Sequence, residues 1–115
     1  MEKIKFDYYD CHEFEQFLNH LSDEDAAKLI ATIQNIEDNG LIIAKRQAWI
    51  KKIEDNLYEI RSKRASNIQR AIYFQVRGSQ YLITNAFTKK TQKTPEKEKR
   101  LARKRRKKYL RGNQQ

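Results

Sequence analysis

The sequence predicts an α+β fold: an N-terminal helix pair packed on an antiparallel sheet of three to five strands, followed by a basic C-terminal helix. Three observations carry this reading. Apolar residues recur at helical spacing as far as Gly40. Between residues 48 and 88 the pattern changes to short alternating runs separated by polar turns. After Thr94-Pro95 a lysine- and arginine-rich stretch takes up the helical pattern again. At 115 residues the chain is expected to be one domain, with residues 1–94 as its body and 95–115 as a basic helix and tail.

Ile4 to Tyr9 reads as a first strand, with Ile4, Phe6 and Tyr8 on one face. Phe14, Phe17, Leu18 and Leu21 follow at i, i+3, i+4 and i+7, the stripe of an amphipathic helix. Ser22 and Asp25 have capping-box spacing and open a second helix, whose apolar side is Ala26, Leu29, Ile30, Ile33 and Ile36. Asn39-Gly40 stops it, since glycine suits the positive φ at a helix end. The helix pair thus spans about residues 11–39. The longest apolar run, Leu41-Ile42-Ile43-Ala44, is expected to be a buried strand or loop. It falls far short of the ~20 residues that span a bilayer.

Ala48 to Ile53 reads as a short strand or a single turn. Asp55-Asn56, Ser66-Asn67 and Gly78-Ser79 mark turns around strands at 57–61, 68–77 and 80–87. Strands joined by such short turns must pair antiparallel, giving a meander over about residues 48–88. The last helix, about 95–110, has few apolar residues, so only its first half is expected to dock and its end to fray.

Charge is divided unevenly along the chain. Residues 1–60 carry seven Lys/Arg against thirteen Asp/Glu, while residues 61–115 carry eighteen against two. A half that basic calls for a polyanion, because each cation placed on a phosphate releases condensed counterions. The polybasic run from Lys97 to Arg111 is a general electrostatic handle, open to RNA, DNA, an anionic membrane surface or an acidic protein. The single Cys11 forms no internal disulfide, and the charged N-terminus has no apolar signal core, so a cytoplasmic location is expected. Cys11-His12 and His20 lack zinc-site spacing, and Asp23-Glu24-Asp25 is what a helix's first turn favours, so no metal is expected. The three scattered glycines make no phosphate loop.

Sharper chemistry lies in the meander. Ile68, Arg70, Ile72, Phe74 and Val76 share one strand face, and a guanidinium among apolar neighbours needs a reason. A salt bridge to a carboxylate such as Glu59, snorkelling at the sheet end, and anion binding each supply one. Arg61 ends the neighbouring strand, and two adjacent guanidiniums repel unless an anion such as phosphate lies between them. Lys89 and Lys90 follow the last strand. They are either solvated loop charges or, if they converge on the arginines, lysines whose mutual repulsion suits one to proton transfer.

The segments Leu57-Tyr58-Glu59-Ile60-Arg61, Gln69-Arg70-Ala71-Ile72-Tyr73-Phe74 and Asn85-Ala86-Phe87-Thr88-Lys89-Lys90-Thr91-Gln92-Lys93-Thr94-Pro95 resemble the HigB-like branch of RelE/ParE-superfamily toxins, which includes phage-derived members. The resemblance covers about residues 4–105, and Phe87 to Pro95 is its most specific part. It implies a RelE-like fold and the toxin of a type II toxin–antitoxin pair, an endoribonuclease that cleaves mRNA in the ribosome. It also implies a cognate antitoxin, of small helix-turn-helix type, held in a hetero-oligomer, with the mRNA and 70S ribosome as targets and no membrane or cofactor. The family's strand arginines match Arg61 and Arg70, and its lysine pair matches Lys89 and Lys90. Some relatives use a histidine, but this chain has none after His20.

The mechanism these residues suggest is attack of a ribose 2′-OH on the adjacent phosphate without a metal. Arg61 and Arg70 would stabilise the phosphorane, Lys89 or Lys90 would move the proton, and Tyr73 would orient base or sugar. Lys63, Arg64, Lys93, Lys97, Arg100, Arg103 and Lys104 are candidates for contacting RNA or ribosome. Alternatives are a ParE-like toxin acting on gyrase and a non-enzymatic basic protein that binds nucleic acid.

Overall fold

The computed structural model describes residues 3–89 and 93–112. Strand β1 (Lys5–Tyr8) leads into helices α1 (Cys11–Asn19), α2 (Asp23–Asn39) and α3 (Leu41–Arg46). Strands β2 (Ile50–Glu54), β3 (Leu57–Arg64), β4 (Asn67–Arg77) and β5 (Gln80–Thr88) follow, and α4 (Glu96–Gly112) ends the chain. The strands form one sheet in the order β1-β5-β4-β3-β2. Strands β2 to β5 are the antiparallel meander expected from the sequence, but β1 lies parallel to β5, so the sheet is mixed. Three helices separate β1 from the meander, and a connection that long frees the first strand from hairpin geometry.

The local signals act largely as read. The Asp10 carboxylate accepts the Glu13 amide at 3.0 Å, and the Ser22 hydroxyl accepts that of Asp25 at 3.1 Å, capping α1 and α2. Gly40 ends α2 at φ 87° and ψ 170°, a region essentially reserved for glycine. The run after it is helix rather than strand or loop. Turning at Gly40 sets Leu41 and Ala44 one helical turn apart against the core and leaves Ile42 75% exposed. Ala48 then takes a left-handed conformation at φ 61°. The Ala48 amide donates to Lys45 and the Trp49 amide to Ala44, a full Schellman closure with alanine in glycine's usual place.

The β3–β4 turn is at Ala65-Ser66, one residue earlier than the sequence suggested, with Ala65 at φ 55°. At the β2–β3 turn, Asn56 is also left-handed, and its side-chain amide exchanges two hydrogen bonds with the Gln75 backbone at 2.9 and 3.0 Å.

Strand alternation divides the core between the two faces of the sheet. On one face Phe14, Leu29, Ile33 and Ile36 of the helices meet Phe6, Ile60, Ala71, Tyr73, Tyr81 and Ile83. On the other, Ala102, Tyr109 and Leu110 of α4 meet Leu57, Ile72, Phe74, Leu82 and Phe87. Tyr109 makes an edge contact with Phe74, so the second half of α4 docks as well.

Candidate anion-binding site beneath the C-terminal helix

Register places the arginines as the sequence suggested: Arg61 of β3 pairs directly with Arg70 of β4. By alternation both point to the α4 face, beside Ile72 and Leu57. Lys63 pairs with Ile68 one step further along, and the Lys89 amide donates to the Ile68 carbonyl at 3.1 Å. The ends of β3 and β5 therefore flank the same stretch of β4, about 10 Å apart across two strand spacings. Arg61, Lys63, Arg70 and Lys89 gather at one end of the sheet.

An anion does lie between the two guanidiniums, and it is internal. Glu59 Oε1 is 3.3 Å from Arg70 Nη1 and 3.7 Å from Arg61 Nε. Its Oε2 accepts the Thr94 hydroxyl at 2.6 Å. Glu59 and Arg70 are 1% and 0% exposed, so Arg70 meets no solvent ligand in this arrangement. The Arg61 side chain retains a quarter of its exposure and can meet one. The pair therefore divides into a buried member that holds Glu59 and an open member available to a phosphate.

A set of guanidinium clamps fixes α4 over this face. Arg103 takes Glu54 at 2.6 and 2.9 Å and Glu96 at 3.1 Å. Arg105 holds both oxygens of Glu13 at 2.8 Å, lies 5.0 Å over the Tyr9 ring, and reaches the Thr84 carbonyl at 2.8 Å. That carbonyl is free because Thr84 is the extra residue of a β-bulge: Ile72 pairs with Asn85 and Tyr73 with Ile83. Arg106 donates to the carbonyls of Asp55 and Asn56 at 3.0 and 2.9 Å. The acidic first half of the chain thus binds part of the basic second half internally.

Several residues proposed from sequence have other occupations. Arg103 is a docking clamp rather than a free RNA contact. Arg64 Nε donates to Asp25 at 2.6 Å, pinning α2 to the β3–β4 turn. Tyr73 is 1% exposed on the opposite face, packed between Phe6, Tyr58 and Tyr81, and does not join the arginines. Burial there pushes its phenol well above the ordinary range. Lys93, Lys97, Arg100 and Lys104 are exposed, the last three lying at helical spacing on the outer side of α4. Lys90 lies outside the described residues. Among the described residues no three His, Cys, Asp or Glu side chains are grouped as metal ligands would be. None of the described helices is long and apolar enough to cross a membrane.

The ion pairs imply an acid limit on stability. Hydrogen bonding to Arg64 holds the Asp25 carboxyl below its usual range, and hydrogen bonding to Arg103 does the same for Glu54 and Glu96. A depressed folded pKa stabilises the fold above the unfolded values, about 3.9 for Asp and 4.3 for Glu, and is lost as pH falls through the folded ones. Thermal melts from pH 7 to pH 2 are therefore expected to show no loss from these groups until about pH 4, then a steep fall. Asp25→Asn should lower the plateau and flatten part of that fall.

The mixed sheet with a C-terminal helix on one face and the N-terminal helices on the other is broadly consistent with a RelE-like fold. More particularly, the model of the family described as phage-derived protein Gp49-like (DUF891) matches residues 16–107. The chain belongs to that family, which is associated with the toxins of toxin–antitoxin pairs. No curated protein matches the chain.

Sequence reasoning missed two participants in the site. Thr94 was legible only as a helix cap, and its bond to Glu59 spans 35 residues that no local pattern connects. Trp49 carried no motif at all, yet its carbonyl accepts the Arg61 amide at 2.7 Å just before β2 begins.

Proposed function

We propose that this protein is the toxin of a type II toxin–antitoxin pair, a HigB-like endoribonuclease that cleaves mRNA on the ribosome. One observation supports this reading above the others: in a chain of a toxin-associated family, a quarter-exposed Arg61 and an exposed Lys63 stand at the same sheet end as Lys89, across β4 from it. In the proposed reaction the ribose 2′-OH attacks the adjacent phosphorus and the P–O5′ bond breaks. The products are a 2′,3′-cyclic phosphate and a 5′-OH end.

Arg61 would stabilise the phosphorane oxygens. Lys89 or Lys90 would serve the proton transfer. Arg70 acts as a positioning residue, holding Glu59 and through it Arg61. The exposed stripe of Lys97, Arg100 and Lys104 would draw the chain to RNA or ribosome. In-line geometry would come largely from the ribosome's hold on the message. A cognate antitoxin, acidic where it covers these cations, would keep the toxin inactive. Cleavage of an mRNA fragment should survive EDTA with its rate essentially unchanged. Activity lost on chelation and restored by one particular divalent ion would refute the metal-free scheme.

A further inference from the structure

Strand β2 pairs with β3 only as far as Ile60, so the outer edge of β3 is uncovered beyond Arg61. There the structure opens a cleft of about 450 Å³ between α2, the end of α3 and β3. Such a volume lies within the range of small-ligand pockets. Its walls bring together Lys28 and Asn35 from α2, Gln47 and Trp49 from the α3 closure, and Arg61 and Lys63 from β3. We propose that this cleft is a nucleotide seat for single-stranded RNA, with the base stacked on Trp49 and its phosphate between Arg61 and Lys63. The inference rests on the RNA-cleaving reading and specifies where the strand lies against it.

Charge is the first argument. Neither Lys28 nor Lys63 is paired with a carboxylate among the described residues, and Arg61 reaches only the long contact to Glu59. Lys28 from α2 and Arg61 and Lys63 from the edge of β3 line one cleft, so an anion entering it meets cations on two sides. Chemistry of the walls is the second. An acidic peptide would satisfy the cations but has no use for the indole. A nucleotide uses both, since every base has a face to stack and edges for amides such as Asn35 and Gln47 to read.

Local geometry is the third argument. The left-handed Ala48 is a less favourable choice than glycine, and it turns the chain so that Trp49 meets the β3 edge. The cleft also adjoins the arginine cluster, because Arg61 belongs to both.

Trp49 is the sole tryptophan, so its emission reports on this cleft alone. The test titrates the full-length protein with an uncleavable 2′-O-methyl RNA oligonucleotide, reading tryptophan emission and the anisotropy of a labelled copy together. Saturable quenching with the same midpoint as the anisotropy is expected. Lys28→Glu, an exposed change on α2, should weaken binding roughly ten-fold and reduce the salt slope. Trp49→Ala, read by anisotropy, should weaken it by about ten-fold or more. Asn35→Ala, also exposed, guards against misfolding of the Trp49 variant and should alter preference among homopolymers.

RNA that binds without moving the emission, and equally well to Lys28→Glu, overturns the nucleotide seat while leaving the ribonuclease reading intact. Quenching by poly-aspartate but not by RNA assigns the cleft to an acidic protein segment and also overturns it. Absence of RNA binding together with absence of RNA cleavage on expression defeats both.

Discussion

Arg70→Ala is expected to destabilise the protein by about 3–5 kcal/mol, because it leaves the Glu59 carboxylate buried without its guanidinium. That is a large share of the stability of a domain this size, and on the order of 10–20 °C in melting temperature. Loss of growth arrest in this variant would therefore say little about catalysis. The informative comparison removes the whole polar cluster. Arg70→Met combined with Glu59→Leu and Thr94→Val takes away both charges and the hydroxyl that bonds Glu59. Apolar replacement of a buried ion pair is often neutral, so most of the lost stability should return. Cleavage should not return, since Arg61 would have lost the carboxylate that steadies it. A refolded variant that cleaves RNA at the wild-type rate would reduce Arg70 and Glu59 to structural roles.

Arg61→Ala is expected to do the converse. Its guanidinium is partly exposed and only 3.7 Å from Glu59 at its nearest, so its loss should cost about 1 kcal/mol, an average substitution. If it neutralises charge on the phosphorane, cleavage should fall roughly 10²–10³-fold, the usual effect of removing one transition-state donor. Arg61→Lys should recover only part of the rate, because an ammonium cannot present two parallel donors to a phosphate. Melting temperature and cleavage rate, measured together, thus assign the two neighbouring arginines to different tasks.

Much of this was legible in the sequence, and for physical reasons. Periodicity located α2, β3, β4 and β5 to within a few residues, because burial on one face must follow the period of the element. That Arg61 and Arg70 lie on neighbouring antiparallel strands was legible because one short turn joins β3 to β4, whereas their direct pairing depends on that turn falling at Ala65-Ser66. Leu41–Arg46 was misread because β-branched isoleucines favour strands, whereas the direction imposed at Gly40 and the Schellman closure at Ala48 favour helix.

The parallel placement of β1, the bulge at Thr84 and the bond from Thr94 to Glu59 are long-range arrangements without a local signature. The charge asymmetry had a meaning that composition could not convey. Glu13, Asp25, Glu54 and Glu59 each hold an arginine of the second half. Among the described residues, the cations left for a polyanion include Arg61, Lys63 and Lys89 at the sheet end and the outer stripe of α4.

The most direct test is transcriptome-wide mapping of 5′-OH RNA ends after induced expression of wild type and of Arg61→Ala, at matched levels of folded protein. The account predicts new 5′-OH ends within coding regions for the wild type and their near disappearance in Arg61→Ala. The same ends at the same frequency in both would contradict it, as would growth arrest with intact mRNA and damaged DNA.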